Sequence, residues 1–509
     1  MMILDCTFRD GGYYTNWDFS SDLVDAYIKA MNALPVDYIE IGYRNNPSKE
    51  YIGKFGYTPI SVLKHIRQFC SKKIVVMLNE KTTSPEDLNT LLTPVVGLVD
   101  MVRIAVDPQN FDRALLLAKS VKHMGFEVGF NTMYMSKWQE YDGFIDKLHL
   151  LNNHVDLFCM VDSYGGITPE QVKSITYMVK EKTTCSLGFH GHNNLQLGLI
   201  NTITAIECGV DYVDATILGM GRGAGNLNME LLLTYLNKQY SLEVDFNVLG
   251  DVITEFMPLM KEYQWGTNLP YMLSGANSFS QKEVMDWVTN RTYSFNSIVR
   301  ALNNKREKVG DNAKYPVLCN EQSEKVILIG GGSSVYEHID AIKQYLLNYP
   351  QTSIIFVTSR YVGLFDEIEN RKFYILVGNE AKRLSRTLSG SRYNGKCILA
   401  PYPRTMGTEV PNFAENSTFE LEKIDFTSSF KDSCTAVGLQ LALELGASEI
   451  LCVGYDGYVG QVLSDKEMAL TMENRILFED FKAHAQKVVI SLLPTRYDNL
   501  MVNSIYQYL

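Results

Sequence analysis

"LFCMVDSYGGITPEQVKSITYMVKEKTTCSLGFH", residues 157–190, is the stretch on which the fold turns. It opens on an apolar strand, Leu157–Asp162, and passes through a glycine-containing turn into an amphipathic stretch, Thr168–Lys182. It then returns to a strand at Ser186–His190. Strand, helix and strand in so short a span form the unit of a parallel sheet. Upstream the unit recurs, with strands at Met2–Cys6, Tyr38–Gly42, Lys73–Asn79, Met101–Val106 and Glu127–Asn131; downstream lies Tyr212–Ile217. Amphipathic stretches such as Ser21–Leu34, Thr58–Cys70, Phe111–Met124 and Leu195–Cys208 separate them. Eight strands alternating with helices within residues 1–245 match a (β/α)8 barrel. A doubly wound sheet fits the alternation too. The barrel is preferred because polar residues cluster just after many of the strands, where a barrel gathers its site.

Beyond the barrel, Val244–Asn303 reads as helical and aromatic-rich, which makes 246–305 a helical extension of the barrel. The charged, Gly- and Pro-containing segment "NNKREKVGDNAKYP" (303–316) marks a linker, assigned to 306–322. A second α/β pattern fills 323–509, with strands at Lys325–Ile329, Ser353–Val357, Phe373–Val377, Cys397–Leu399, Glu449–Val453 and Val488–Ser491.

The net charge of −11 over 509 residues argues against a general nucleic-acid or anionic-membrane binder. No segment reaches the roughly 18 uninterrupted apolar residues of a transmembrane helix, and Asp5, Arg9 and Asp10 interrupt the first apolar run too early for a signal peptide. Nine scattered cysteines without a CxxC pair fit buried free thiols in a cytoplasmic chain.

The strongest chemical signal is "GFHGHNN", residues 188–194. A strand alternates its faces, so His190 and His192 point the same way, and at the end of a barrel strand they can share one cation. Two hydrogen-bonded structural histidines are the alternative. Asp10 follows the first strand, and all strand ends converge on one mouth, which places its carboxylate within reach of the same cation. After the eighth strand comes "GMGRGAGNLNMELL" (219–232), whose glycines permit close backbone approach. Its Asn226 is either a helix cap or an oxygen ligand. Asn79, Arg103, Asn131 and Tyr134 fall near other strand ends, placed to grip a carboxylate or hydroxyls; for Arg103 an ion pair at the core edge is the competing reading.

"DCTFRDGG", "YIEIGY", "VDSYGGITP", "HGHNN" and "GMGRGAGN" occur in that order and on the expected strands. Over about residues 1–280 the chain thereby resembles the DRE-TIM metallolyases, the HMG-CoA lyase-like superfamily, and within it the 4-hydroxy-2-oxovalerate aldolase branch. The resemblance implies a TIM barrel that holds a divalent cation (Mn2+, Mg2+, Co2+ or Zn2+) and makes or breaks a carbon–carbon bond beside a carbonyl. It implies Asp10, His190 and His192 as metal ligands and Asn226 as a further one. It also implies Arg9 as the residue that stabilises an enolate, with Glu40 and Asp162 as acidic residues near the centre. Asp162 capping the next helix is the plainer alternative. The chain departs from the branch at Tyr13, where the bacterial aldolases carry an acid/base histidine. The base is then Tyr13, a hydroxide on the metal, or another group, and the aldehyde differs accordingly.

In the second half, "VILIGGGSSVYEHI" (326–339) reads as strand, glycine-rich turn and helix. Its Gly330, Gly331, Gly332 and Ser333 suit a phosphate. Val335 stands where the dinucleotide fingerprint needs glycine, so a nucleotide or nucleotide-sugar is favoured over a dehydrogenase cofactor, and a tight strand–helix connection without a ligand is the alternative. Asp456, in "GYDGY", faces a sugar hydroxyl or caps a turn, and Arg404 meets a phosphate or solvent. This half loosely resembles the Rossmann-like part of MptE-like and sialyltransferase-like proteins, which suggests carbohydrate biosynthesis. The expectation is a cytoplasmic, homo-oligomeric, metal-dependent aldolase acting on pyruvate or a related 2-oxo acid and a sugar-derived or nucleotide-linked aldehyde. An acyl-CoA lyase or Claisen-type enzyme of the same superfamily is the first alternative. A non-catalytic nucleotide-sugar-binding protein is the second.

Overall fold

A computed structural model describes residues 1–289, 293, 295–310, 312–388, 393–404, 406–407, 409–458 and 465–509. Asp311 of the expected linker and Thr405 of the Arg404 loop lie outside them. The chain divides into two compact units, Met1–Asp286 and Trp287–Leu509. That division falls inside the stretch 246–305, so the helix Phe295–Glu307 counts with the second unit.

In the first unit eight parallel strands close into a barrel: β1 (Met2–Asp5), β2 (Tyr38–Tyr43), β3 (Lys73–Asn79), β4 (Met101–Val106), β5 (Glu127–Thr132), β6 (Leu157–Asp162), β7 (Ser186–Gly191) and β8 (Tyr212–Ala215). Strand β1 pairs with β2 on one side and β8 on the other. The strands are buried on both faces because helices cover the outside and side chains fill the inside. Leu4, Cys6, Tyr38, Val75, Met101 and Leu157 form one packed layer of that interior. The larger core lies between barrel and helices. Helix Phe246–Tyr263 joins it: the ring of its Phe256 lies 6.2 Å from Phe8 and 6.3 Å from Tyr27.

The chain enters a helix, Thr7–Thr15, straight after β1, and Gly11 and Gly12 lie inside it. Asp5 starts it, accepting the Thr7 N–H at 2.9 Å and the Tyr27 hydroxyl at 2.6 Å. The glycines serve packing: a Cβ on Gly11 would sit 2.5 Å from Met220 Sδ, and one on Gly12 would sit 2.0 Å from the Trp17 indole.

The second unit is an open, fully parallel sheet. Its strands are β9 (Lys325–Ile329), β10 (Ser353–Phe356), β11 (Lys372–Leu376), β12 (Lys396–Leu399), β13 (Thr418–Glu420), β14 (Glu449–Val453), β15 (Val489–Ser491) and β16 (Met501–Val502). They run in the order 13-12-11-10-9-14-15-16, so the winding reverses between β9 and β14. One apolar layer packs helices such as Cys434–Glu444 on one face, and another packs Ile339–Asn348 on the other. All nine cysteines are free thiols. No described helix is long and apolar enough to cross a membrane.

Candidate active site

The carboxyl ends of the barrel strands surround a cavity of about 400 Å³. Helix Thr7–Thr15 brings Arg9 and Asp10 to it in its first turn. Arg9 donates from Nε to Glu40 Oε2 at 2.7 Å and from Nη1 to Asp10 Oδ1. The second oxygen of Asp10 accepts Asn226 Nδ2 at 2.8 Å and lies 3.5 Å from His190 Nε2. Burial opposes the charge on Asp10, but Arg9, His190 and His192 outweigh it and hold the carboxyl at about 2.

Both imidazoles are oriented by their far nitrogens. His190 Nδ1 faces Asp214 Oδ2 at 2.9 Å, and His192 Nδ1 faces the backbone carbonyl of Asp162 at 2.7 Å. Neither an ionised carboxylate nor a carbonyl can donate, so each ring carries its proton on Nδ1 and keeps a lone pair on Nε2. Burial, with His190 alongside, lowers His192 to about 3, which keeps that lone pair free. The two rings stand 5.0 Å apart, edge to face. Asn226 is tied to them by a bridge between its backbone and that of His192, and by Leu227 N–H donating to Gly191 O at 3.1 Å.

The donor set fits a divalent cation. Asp10 Oδ2, two imidazole Nε2 atoms and Asn226 Oδ1 are the nitrogen and oxygen donors such an ion takes. Asn226 Oδ1 is buried without a hydrogen-bond partner, and a bound cation would satisfy it. A second cluster of possible ligand atoms, Cys6, His190 and Asp214, gathers around the opposite nitrogen of His190. There the hydrogen bond to Asp214 already occupies Nδ1, so this side orients the ring and leaves Nε2 to the cavity.

Arg103 does not reach out to grip a substrate carboxylate. It is fully buried, with Nε on Asn131 Oδ1 (2.7 Å), Nη2 on Asp214 Oδ2 (2.7 Å) and Nη1 near Glu40 (3.5 Å). It braces the carboxylates that hold Arg9 and His190. Asp162 does not cap the next helix, since Thr168 does that. Its Oδ1 accepts Gly165 N–H at 3.0 Å, and burial, against the N–H groups of residues 165–167, raises it to about 7. Asn79, Asn131 and Tyr134 line the cavity. Tyr13 does too, its hydroxyl 3.0 Å from that of Tyr43 and its ring 4.3 Å from the Arg222 guanidinium carbon. Sequence reasoning passed over Asp214, Tyr43 and Arg222. Asp214 was hidden as a single acidic position in a short strand, Tyr43 fell just past the strand read as Tyr38–Gly42, and Arg222 stood in plain view inside the glycine motif.

In the second unit Gly330–Ser333 and Asp456 come together beside a cavity of about 810 Å³. Asp456 accepts Ser334 N–H at 2.9 Å and the Ser334 hydroxyl, and a Cβ on Gly332 would collide with its carboxylate at 2.3 Å. A carboxylate thus already sits where the glycine-rich turn was expected to receive a phosphate. Arg404 is neither a phosphate partner nor a solvated charge: it is buried, paired with Glu420 at 3.0 Å.

Residues 102–254 match the model of the HMGL-like family. Over 285 residues the chain is 28% identical to a 4-hydroxy-2-oxovalerate aldolase of Moorella thermoacetica, covering 55% of this chain and 83% of that one. Over 272 residues it is 26% identical to an oxaloacetate decarboxylase of Mycobacterium tuberculosis, covering 49% and 74%. A crystal structure of the N-terminal domain of a putative aldolase from Bacteroides vulgatus is 70% identical, with a TM-score of 0.57, and covers 59% of this chain and all of that one.

Proposed function

We propose, from the premise that the barrel belongs to the HMGL-like family, that it joins or cleaves pyruvate, or a related 2-oxo acid, and an aldehyde with the help of a divalent cation. The protein is a carbon–carbon lyase. The observation that carries the finer reading is the convergence of Asp10, His190, His192 and Asn226, with both imidazoles locked by their Nδ1 partners and the Asn226 oxygen left unpaired.

These four residues would hold the cation. When bound, it supplies positive charge beside the ketone oxygen as the methyl proton leaves. Arg9, a cation that Glu40 keeps fixed, stabilises the negative charge developing on the same oxygen. Tyr13 takes or returns the proton. Its hydroxyl lies 3.0 Å from that of Tyr43, within hydrogen-bond reach. In the joining direction the enolate carbon attacks the aldehyde carbon, one carbon–carbon bond forms, and the aldehyde oxygen takes up a proton. A sugar-derived or nucleotide-linked aldehyde is the acceptor we assign.

The test is exchange of the pyruvate methyl protons for deuterium, followed by NMR with Mn2+, Mg2+ or Co2+ added. Exchange that depends on the metal and is lost in Asp10→Asn is expected. No exchange with any of the three, or undiminished exchange in Asp10→Asn, would sink the assignment. Likeness to an oxaloacetate decarboxylase favours one second reading. Loss of CO2 from oxaloacetate reaches the same enolate, and faster turnover of oxaloacetate than of any aldol adduct would select it.

A further inference from the structure

The charged groups around the barrel cavity are unevenly matched. Five line it: Arg9, Asp10, Lys81, Arg222 and Lys282. Arg9 is taken by Asp10 and Glu40, and Lys81 is paired with Asp107 at 3.0 Å. Arg222, by contrast, has no carboxylate or carbonyl accepting from it among the described residues. Its guanidinium carbon lies over the Tyr13 ring, 4.3 Å from the centroid, a cation–π contact that uses none of its N–H donors. A chain with a net charge of −11 thus presents surplus positive charge at this mouth, before any cation is added.

Depth separates the roles. Asp10 and His190, which line the cavity, are each 2% exposed and form its floor. Tyr13 and Arg222 are half-buried above them, and Lys282 is exposed at the rim. Arg222 and Lys282 line the same cavity as Asp10 and His190 but are more exposed, which puts them on its solvent side.

We propose that Arg222 is an anion receptor for the acceptor, so that the aldehyde this barrel uses carries a carboxylate or a phosphate at the end remote from its carbonyl. This rests on the aldolase reading above and deepens it. A planar guanidinium packed against an aromatic ring meets either anion through two parallel N–H donors, and Lys282 adds charge at the rim.

Paired probes test it. Wild-type protein is given pyruvate and metal with succinic semialdehyde against butanal, and with glycolaldehyde phosphate against glycolaldehyde. The expected result is a kcat/KM at least about tenfold higher for one or both charged aldehydes. Whichever pair shows the preference identifies the anion. In Arg222→Met the ratio falls to near one, and Arg222→Lys restores part of it. Equal use of charged and neutral aldehydes by the wild type overturns the proposal. So does a ratio unchanged in Arg222→Met, including the case where only the KM for pyruvate rises, which would place Arg222 on the pyruvate carboxylate. Pyruvate-methyl exchange in the same samples without aldehyde separates the two claims. Its absence overturns the aldolase reading, whereas exchange with no preference for charge overturns only the role of Arg222. If Arg222→Met does not fold, loss of the wild-type preference at high salt is the second measurement, and a preference that salt leaves intact overturns the proposal.

Discussion

Asp214 illustrates how one residue can set a site it does not face. It accepts from His190 Nδ1 at 2.9 Å and from Arg103 Nη2 at 2.7 Å, and both partners are buried. Burial pushes its carboxyl up, but Arg103 and His190 overcome that and leave it below the usual range, ionised at neutral pH. In Asp214→Asn the amide can present its NH2 to His190, which removes the reason for the proton to stay on Nδ1. We expect the affinity for Mn2+, measured by calorimetry, to fall by about 10- to 100-fold. Unchanged affinity would mean that His190 is not a ligand. The side chains that face the cavity, Asp10, His190 and His192, were legible because their types and spacing are those of metal ligands. Asp214 was not. Its meaning arises only when β8 lies beside β7 and β1, and no local spacing in the sequence carries that adjacency.

At the scale of elements, the alternation of apolar strands and amphipathic helices was enough to place all eight barrel strands, because strands buried on both faces read as continuous apolar runs. The two edge strands of the second sheet, Thr418–Glu420 and Met501–Val502, were missed. They are too short to build a pattern, and Met501 and Val502 are exposed. The helix Thr7–Thr15 was missed for a different reason. Paired glycines disfavour a helix by local propensity, but here they are required by side chains from elsewhere. Two substitutions separate these effects. Gly11→Ala meets the flexible thioether of Met220, which can move. Gly12→Ala meets the Trp17 indole, which is held by its 3.0 Å hydrogen bond to Arg9 O. On propensity alone each alanine would stabilise the helix by about 1 kcal/mol. We expect Gly12→Ala instead to lower stability by about 1–3 kcal/mol in urea unfolding, with Gly11→Ala the milder of the two. Equal effects would show that the indole yields as readily as the thioether.

At the scale of the whole molecule, the question is how much of the chain the barrel chemistry needs. Ending the barrel at residue 245 strips away helix Phe246–Tyr263, whose Leu249, Val252 and Phe256 are buried in the same core as Phe8 and Tyr27. Loss of the Phe256 side chain alone would cost about 3–5 kcal/mol, against a total stability of about 5–15 kcal/mol for an ordinary domain. The segment up to Asp286 also closes the site from the side. Asn194 Nδ2, two residues after His192, donates to Tyr271 O at 2.9 Å, Thr267 donates to Asn194 O at 2.7 Å, and Gln281 lines the cavity. A protein of residues 1–286 is therefore expected to fold cooperatively by circular dichroism and to catalyse metal-dependent exchange of the pyruvate methyl protons within about twofold of the full chain, a loss of less than about 0.5 kcal/mol in barrier. Residues 1–245 are expected to yield no folded, exchanging protein. If 1–286 folds but does not exchange, the second unit contributes to the first half of the reaction. If 1–245 exchanges as well as 1–286, then the aromatic helix and the Asn194 contacts are dispensable, and the site is held by the eight strands alone.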